Sequence, residues 1–389
     1  MPTNSEQPRA HALLSPSAAH RWLHCTAAPR LEEHIPDSGS VFAEEGSLAH
    51  AYCAKALKEF LGQPVDGEER EIAQLSRYHT GEMDEYVETY KTIVLEKYNA
   101  ARAKTADAQL LVEVRLSFQK WMPQAFGTAD AVIIADGVME IIDFKYGKGV
   151  KVSAHENPQM KIYALGAYAE FSFEYNIRSV RMTIVQPRID NLSEFEMDAP
   201  VLLAWARYQL EPAAREAYDG EGRQKPGDWC RFCKAKATCR ALAEMTFSAV
   251  EDHPDPETVT PEEMASLVLP MLETIKTWVK GVEEYTLARA LDGQRYPGYK
   301  LVAGRSVRRI TDPDAVMAAL SADFDEEAYM RPRELKTITD LEKTVGKKRF
   351  TALCGEWIDK PIGKPALVPE SDKREPLSAD SFSGVQLSE

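Results

Sequence analysis

The sequence predicts an α/β fold: a mixed sheet laid down in the order α-β-β-β-α-β, with added helices and a small C-terminal α+β region. Three observations carry this expectation. Apolar residues spaced three and four apart give way, near residue 109, to strict alternation. The dipeptide Asp136-Gly137 separates two apolar runs, which is a strong two-residue hairpin signal. Helical spacing then returns from Pro158 onward.

The elements follow in order. Residues 1–40 are irregular, apart from a short helix near 18–23. In "SLAHAYCAKALKEFL" the apolar spacing predicts a helix over about 44–61, and a second is expected over about 69–103. In "LLVEVRLSF" Leu110, Val112, Val114, Leu116 and Phe118 alternate with Leu111, Glu113, Arg115 and Ser117, which predicts a strand with one apolar face. "GTADAVIIAD" and "VMEIIDFKYG" make two more strands around the hairpin turn. A helix over 158–171, the strand "SVRMTIVQPR" and a helix over about 200–218 complete the core. A cysteine-rich loop at 230–239 runs into a helix, and the acidic, proline-bearing 250–260 stretch is a linker signal. Beyond it a helix is expected over 261–292, a strand near "GYKLVAGRSVRRI", and helices near 312–321 and 337–353. The domain expectation is therefore a sheet-bearing unit at 1–250 that includes the cysteine cluster, a mostly helical region of unassigned role at 251–367, and a disordered tail at 368–389.

Composition bounds the class. With 389 residues the chain exceeds what one compact core needs. Its 44% hydrophobic and 28% charged residues are those of a globular protein. No apolar run approaches the ~20 residues of a membrane span, and the first twenty residues lack a basic head followed by an apolar stretch. A cytoplasmic location without membrane association is the expectation. The net charge of −14, taken alone, argues against nucleic-acid binding, because phosphate contact usually leaves a basic footprint. Charge is nevertheless uneven: "KYGKGVK", "CRFCKAKATCR" and "KTVGKKRF" are basic islands. No G-x-x-x-x-G-K-[ST] phosphate loop is present, so the chain carries no ATP motor of that kind.

The chemistry concentrates in "GTADAVIIADGVMEIIDFKYG". Side chains two apart on a strand share a face, so Asp143 and Lys145 stand together, opposite Ile142 and Phe144. With Asp136-Gly137 as the turn, Ala135 opposes Val138 and the same register sets Asp130 opposite Asp143. Two neighbouring carboxylates repel unless a cation lies between them. Lys145 is one such cation. A divalent metal such as Mg²⁺ is a better one, since it takes one or two carboxylates with water and phosphate oxygens. Lys145 is then suited to orient an attacking water, help deprotonate it or steady a pentavalent transition state. A buried Asp–Lys pair, with Asp130 capping a turn, is the alternative on spacing alone.

Further residues give the pattern a family likeness. "GTAD" followed by "IIDFKYG" resembles the PD-(D/E)xK nuclease superfamily, with Asp130 as first acid and "DFK" as the D-x-K element. Gln159 and Tyr163, four apart in "NPQMKIYALGAY", resemble the Q-x-x-x-Y motif of the RecB-like branch. "EEGSLAHAY" is similar to its G-T-x-x-H element, with His50 as the histidine and Ser47 where threonine is commoner. The resemblance covers roughly the first two-thirds of the chain. It implies a restriction-endonuclease-like core that hydrolyses DNA with Mg²⁺ or Mn²⁺. His50, Asp130, Asp143 and the carbonyl of Phe144 would be on the metal, and Gln159 and Tyr163 would hold the strand. His155 lies close by but reads as the start of the helix. Glu113 projects from the polar side of its strand, where it either reaches the site or pairs with Arg115.

Six cysteines are present, and Cys230, Cys233 and Cys239 fall within ten residues. Such clustering in a cytosolic setting points to metal or cluster ligation. A fourth ligand is needed. RecB-like nucleases with an iron–sulfur cluster, such as the AddB subunit and CRISPR-associated adaptation nucleases, use one cysteine before the nuclease core and three after it. "LLSPSAAHRWLHC" resembles their N-terminal segment, which implies Cys25 as that ligand and a [4Fe–4S] cluster. Structural zinc fits the same spacing. Cys53 and Cys354 read as packing thiols. In that family a stand-alone chain without helicase motifs resembles phage-type exonucleases that prepare DNA ends for recombination or replication, acting in the host cytoplasm. A structure-specific or restriction-type endonuclease shares the same site chemistry, and a non-catalytic DNA-binding scaffold is the alternative of another class. A recombinase, a single-strand-binding protein or a second copy of the chain are the candidate partners besides DNA.

Overall fold

The structure, a computed structural model, describes residues 12–36, 39–251, 258–304, 308–331, 334–359, 363–369 and 375–377. They divide at Val282/Glu283 into two compact units. In the first, helices α1 (Ala19–His24), α2 (Ala28–Glu32), α3 (Val41–Phe60), α4 (Asp66–Leu75) and α5 (Gly81–Lys104) precede the sheet. Strands β1 (Gln109–Ser117), β2 (Phe126–Ala135) and β3 (Gly137–Phe144) follow, then helix α6 (Pro158–Phe171) and strands β4 (Ile177–Gln186) and β5 (Asn191–Asp198). Helices α7 (Ala199–Trp205) and α8 (Glu211–Asp219) are joined by a π-helical turn, and α9 (Arg240–Glu251) comes after the cysteine-rich segment. The sheet order is β1-β2-β3-β4-β5, a mixed α/β architecture with only the β3–β4 pair parallel. Helix α6 makes that parallel crossover, as a β-α-β connection requires.

The sheet is buried on both faces. Met139 and Ile141 of β3 pack with Met160, Ile162 and Leu165 of α6. Ile142 and Phe144 pack on the other side with Leu48 and Leu57 of α3 and with Val87 and Tyr90 of α5. Buried Glu140, on this second side, is held by Thr183 at 2.7 Å and Lys97 at 2.7 Å. An enclosed carboxylate is tolerable because it is paired and hydrogen-bonded.

The expectation of one apolar face on β1 is corrected. Leu110 and Val112 join the core under α3 and α5, whereas Leu116 and Phe118 join the core under α6. The strand changes sides at Glu113, whose φ of 54° lies in the left-handed region that non-glycine residues rarely occupy. Its pairing with β2 breaks at the same step: Val112↔Ala131 and Val114↔Ala129 are paired, and between them lie Glu113 and Asp130. Such a residue carries roughly 1–3 kcal/mol of strain, and here it falls beside a candidate site carboxylate.

Other boundaries moved. The helix expected over 69–103 is two helices, interrupted by a 3-10 turn at Ser76–Tyr78 and restarted after Thr80. Strand β5 was not anticipated. It is an edge strand with alternate residues half-exposed, so its apolar signal is diluted by Glu194 and Glu196. Helix α11 (Leu269–Leu291) follows α10 (Pro261–Glu263) and a π-turn, and the division into units falls within it, after Val282. Trp278 of α11 packs edge-on against Phe247 of α9, with ring centroids 5.5 Å apart. Within the expected linker, residues 252–257 lie outside the described residues.

The second unit is small and mixed. Helices α12 (Pro313–Ser321), α13 (Glu326–Tyr329), α14 (Ile338–Val345) and α15 (Lys347–Cys354) surround Leu320, Leu341, Phe350 and Cys354. The expected 337–353 helix is broken at Gly346, where φ is 89°. Strand β6 (Tyr299–Gly304) pairs with a strand at Gly363–Pro369, and Val302 bridges Pro376. The described part of the expected disordered tail is therefore corrected: Val368 and Pro369 pair with Lys300 and Tyr299. The rest of it, 370–374 and 378–389, lies outside the described residues. Among the described residues, no helix is long and apolar enough to cross a membrane.

Candidate active site and cysteine cluster

The β2–β3 hairpin has the register that its turn predicts, from Ala135↔Val138 to Ala131↔Ile142. Gly137 takes a φ of 90°, which accounts for glycine at the turn. One step further the ladder stops, where Asp130 and Asp143 would be opposed. Asp130 instead turns its carboxylate into the gap, and its Oδ2 accepts the N–H of Phe144 at 2.7 Å. Its Oδ1 lies 3.2 Å from His50 Nδ1 on α3. Asp143 faces the other way, toward α6. Gln159 Nε2 donates to Asp143 Oδ1 at 3.1 Å, and Lys145 Nζ donates to Gln159 Oε1 at 3.1 Å. Lys145 Nζ is 3.1 Å from Asp143 Oδ2 but meets hydrogen-bond geometry only at Oδ1, 3.4 Å away. Asp143 Oδ2 is therefore buried without a hydrogen bond.

Thus His50, Asp130, Asp143, Lys145 and Gln159, drawn from α3, β2, β3 and α6, converge in space. Asn157 caps the start of α6 by accepting from the N–H groups of Gln159 and Met160, which fixes where Gln159 emerges. Tyr163, one turn on, is buried and edge-on to Phe118 at 5.9 Å. A Cβ on Gly127 would come within 3.1 Å of its ring, so this glycine makes room for it. His155 is exposed, with its ring 4.8 Å from that of Phe195, and stands outside the constellation. Phe144 closes β3 next to Asp143.

The electrostatics split the two acids. Burial alone would raise both carboxyls. At Asp130 this is outweighed by the His50 charge and hydrogen bond and by the Phe144 N–H, so its pKa is lowered. At Asp143 burial, reinforced by Asp130, outweighs the help from Lys145 and His50, so its pKa is raised. Burial lowers Lys145, but Asp143 and Asp130 outweigh it and the ammonium is held above its usual range. For His50, burial is overcome by Asp130 and then Asp143, and the pKa rises to about 9. Glu113 is pushed up to about 7, first by burial and then by Asp130.

A stability prediction follows for the metal-free protein. A histidine whose pKa is raised on folding contributes stability that is complete below its unfolded pKa of 6.5 and lost as pH rises through about 9. Urea unfolding in EDTA is expected to show stability falling across that window. His50→Gln should flatten the fall; an unchanged slope would mean that the His50–Asp130 pair is not formed.

A profile for the family described as "Protein of unknown function (DUF2800)" matches residues 11–375. The chain belongs to the DUF2800 family. Among solved structures, the crystal structure of SSO0001 matches at 14% identity over 56% of this chain and 95% of that one, with a TM-score of 0.24. A superposition that weak carries no weight for fold or chemistry.

In this DUF2800 chain the four cysteines singled out from sequence line one small cavity. Cys25 comes from the end of α1, and Cys230, Cys233 and Cys239 from the segment before α9. Cys25, Cys230 and Cys233 are buried. Two sulfurs accept backbone N–H groups, Cys25 from Lys225 and Cys230 from Gly227, each at 3.4 Å. Burial pushes the Cys233 thiol up to about 12, with Glu32 adding to it, and burial also raises Cys230. Protein contacts already bring the two segments together. Glu32 accepts Arg21 Nε at 3.0 Å and the Lys234 N–H at 2.6 Å, and Arg21 reaches the Phe232 carbonyl at 3.1 Å. A Cβ on Gly222 would overlap the backbone of Thr26, so only glycine allows that approach. Cys53 and Cys354 are buried in their own cores, as expected. Among the described residues, no three of His, Cys, Asp and Glu stand close enough to hold a metal ion as placed.

Proposed function

We propose that this DUF2800 protein is a RecB-like, PD-(D/E)xK-type nuclease, a metal-dependent exonuclease that hydrolyses DNA phosphodiester bonds, with a [4Fe–4S] cluster tying the N-terminal segment to the end of the nuclease unit. The observation that carries the reading is Asp143 Oδ2: a carboxylate oxygen buried without a hydrogen bond beside a second carboxylate. Lys145 Nζ lies 3.1 Å from that oxygen but off hydrogen-bond geometry, so one lone-pair direction of a buried acid is left unfilled, which is costly; a divalent cation there would fill it and offset the repulsion from Asp130. Donor chemistry fits as well, since hard carboxylate oxygens and an imidazole suit Mg²⁺ or Mn²⁺.

His50, Asp130, Asp143 and the Phe144 carbonyl would hold the ion, which when bound supplies Lewis-acid stabilisation of phosphate charge and a nucleophilic water. The side chains supply the rest. Lys145, cationic at neutral pH because of its acidic neighbours, is suited to steady negative charge on the pentavalent phosphorus rather than to remove a proton. Gln159 bridges Asp143 and Lys145 and so fixes the geometry of both. Hydrolysis forms a bond from water oxygen to phosphorus and breaks the phosphorus–oxygen ester bond; the attacking water gives up a proton to solvent, and the departing sugar oxygen takes one from solvent. The four thiols fit a cluster because they are soft donors around one cavity with N–H groups on two sulfurs.

The test is digestion of linear, nicked and covalently closed circular DNA, with labelled ends, in Mg²⁺, Mn²⁺ or EDTA. Progressive loss from ends, closed circles left intact and no reaction in EDTA are the expected results. Cutting of closed circles would replace the exonuclease by an endonuclease, and inert DNA throughout would remove the nuclease reading.

A further inference from the structure

The loop that leaves β3 after the candidate catalytic lysine is exposed, yet it is pinned by buried amides. Gly147, Lys148, Gly149, Val150 and Lys151 are all exposed, and none of them belongs to the buried core. Gln186, at the end of β4, is 1% exposed and spends its whole side chain on this loop and on Asn191. Its Nε2 donates to the carbonyls of Gly147 at 2.5 Å and Val150 at 2.8 Å. Its Oε1 accepts the Val152 N–H at 3.1 Å and Asn191 Nδ2 at 3.1 Å. Asn191 Nδ2 also donates to the Val152 carbonyl at 2.9 Å, and Ser193 Oγ accepts the Ala154 N–H at 2.9 Å. On the entry side, the Lys145 N–H bonds the Val185 carbonyl at 2.9 Å, and Arg188 lies over the Tyr146 ring at 4.5 Å.

Fixing a Gly-Lys-Gly-Val-Lys loop forgoes backbone entropy at every residue, most of all at the two glycines. Core packing returns little of it: Val150 is 43% exposed, and Val152 is the first side chain after the loop to pack against the core. What the clamp produces is a rigid outward display. Lys148 and Lys151 make no ion pair among the described residues, although the chain carries a net charge of −14. Nothing lies within 4 Å of a Cβ built on Gly147 or Gly149, so the glycines leave the backbone N–H groups open to close approach.

We infer that residues 147–152 form a preorganised contact for the sugar–phosphate backbone of the DNA strand beside the scissile bond. Lys148 and Lys151 bind phosphates without reading bases, and Gln186 and Asn191 are positioning residues. This deepens the proposed nuclease function and rests on it for the identity of the polyanion.

Fluorescence anisotropy of a labelled single-stranded oligonucleotide with the full chain in EDTA, over a range of salt concentrations, tests the inference without requiring cleavage. Lys148→Ala/Lys151→Ala is expected to weaken binding about tenfold and to reduce the slope of log K against log salt by about 1–2, with the same loss on a scrambled sequence. Gln186→Met, which keeps every charge, should weaken binding without changing base preference. Equal affinity and slope for wild type and the lysine variant would overturn the inference, as would a wild type that binds no strand. A protein that binds through these lysines but never cuts DNA would sustain the inference and sink the nuclease reading.

Discussion

Asp143→Asn is expected to lower DNA hydrolysis by about a thousandfold or more while leaving the metal-free protein as stable as wild type, or more so. The loss corresponds to about 4 kcal/mol of transition-state stabilisation, the scale on which a bound metal acts. The stability half comes from burial. Asp143 Oδ2 has no hydrogen bond, and Asp130 repels the ionised form. A carboxyl whose pKa is raised on folding subtracts stability once pH exceeds its unfolded value, so a neutral amide removes that cost at pH 7. Lys145 loses an ion partner but is partly open to solvent and keeps Gln159. Parallel turnover assays in Mg²⁺ and urea unfolding in EDTA check the pair of outcomes. The stability difference should close as pH falls below about 3.8, where the unfolded carboxyl is also protonated. A variant that loses stability along with activity would make Asp143 a structural partner of Lys145, and one that keeps full activity would end its catalytic assignment.

Cys25→Ser carries the second large effect. Cys25 and Cys230 are separated by about two hundred residues, which include the whole sheet. Closing so long a loop restricts the unfolded chain by an amount worth about 5 kcal/mol in the loop-entropy description. Wild-type protein purified without oxygen should be brown, with broad absorbance near ~400 nm. The serine variant should lose that absorbance and unfold at markedly lower temperature. Arg21, Glu32 and the close approach at Gly222 would keep the segments near one another, so the fold need not collapse altogether. Colourless wild type with stoichiometric zinc, destabilised in the same way by Cys25→Ser, would replace iron–sulfur by zinc. Unchanged stability and unchanged metal content would remove Cys25 from the ligand set.

Local periodicity explains which parts of this arrangement are legible in the letters. Asp136-Gly137 sets a hairpin register that the structure keeps down to Ala131↔Ile142. A period of two puts Asp143 and Lys145 on one face, and Lys145 does reach Asp143. A spacing of four puts Gln159 and Tyr163 one turn apart on α6. Other features depend on backbone events that leave the alternation intact. Leu110 to Phe118 alternates without a break, yet the strand changes sides at Glu113 because one residue takes a positive φ. That twist, and the ladder ending at Asp130, set the two acids on different partners, His50 and Gln159. The amide clamp was also hidden. Gln186 is one letter after the apolar run of β4, and its partners at 147, 150 and 152 lie more than thirty residues away. A buried-strand run that ends in Gln, followed five residues later by Asn, was the available signal.

The central claim is that Asp130, Asp143 and His50 make a divalent-metal centre. Mn²⁺ titration of the folded, full-length protein, followed by the electron paramagnetic resonance of free Mn²⁺, tests it without a substrate. A saturable site is predicted in wild type, weakening as pH falls because His50 must give up its proton before it can bind, and absent in Asp143→Asn. Wild type that leaves the free Mn²⁺ signal undiminished, or an Asp143→Asn protein that binds Mn²⁺ as well as wild type, would contradict it.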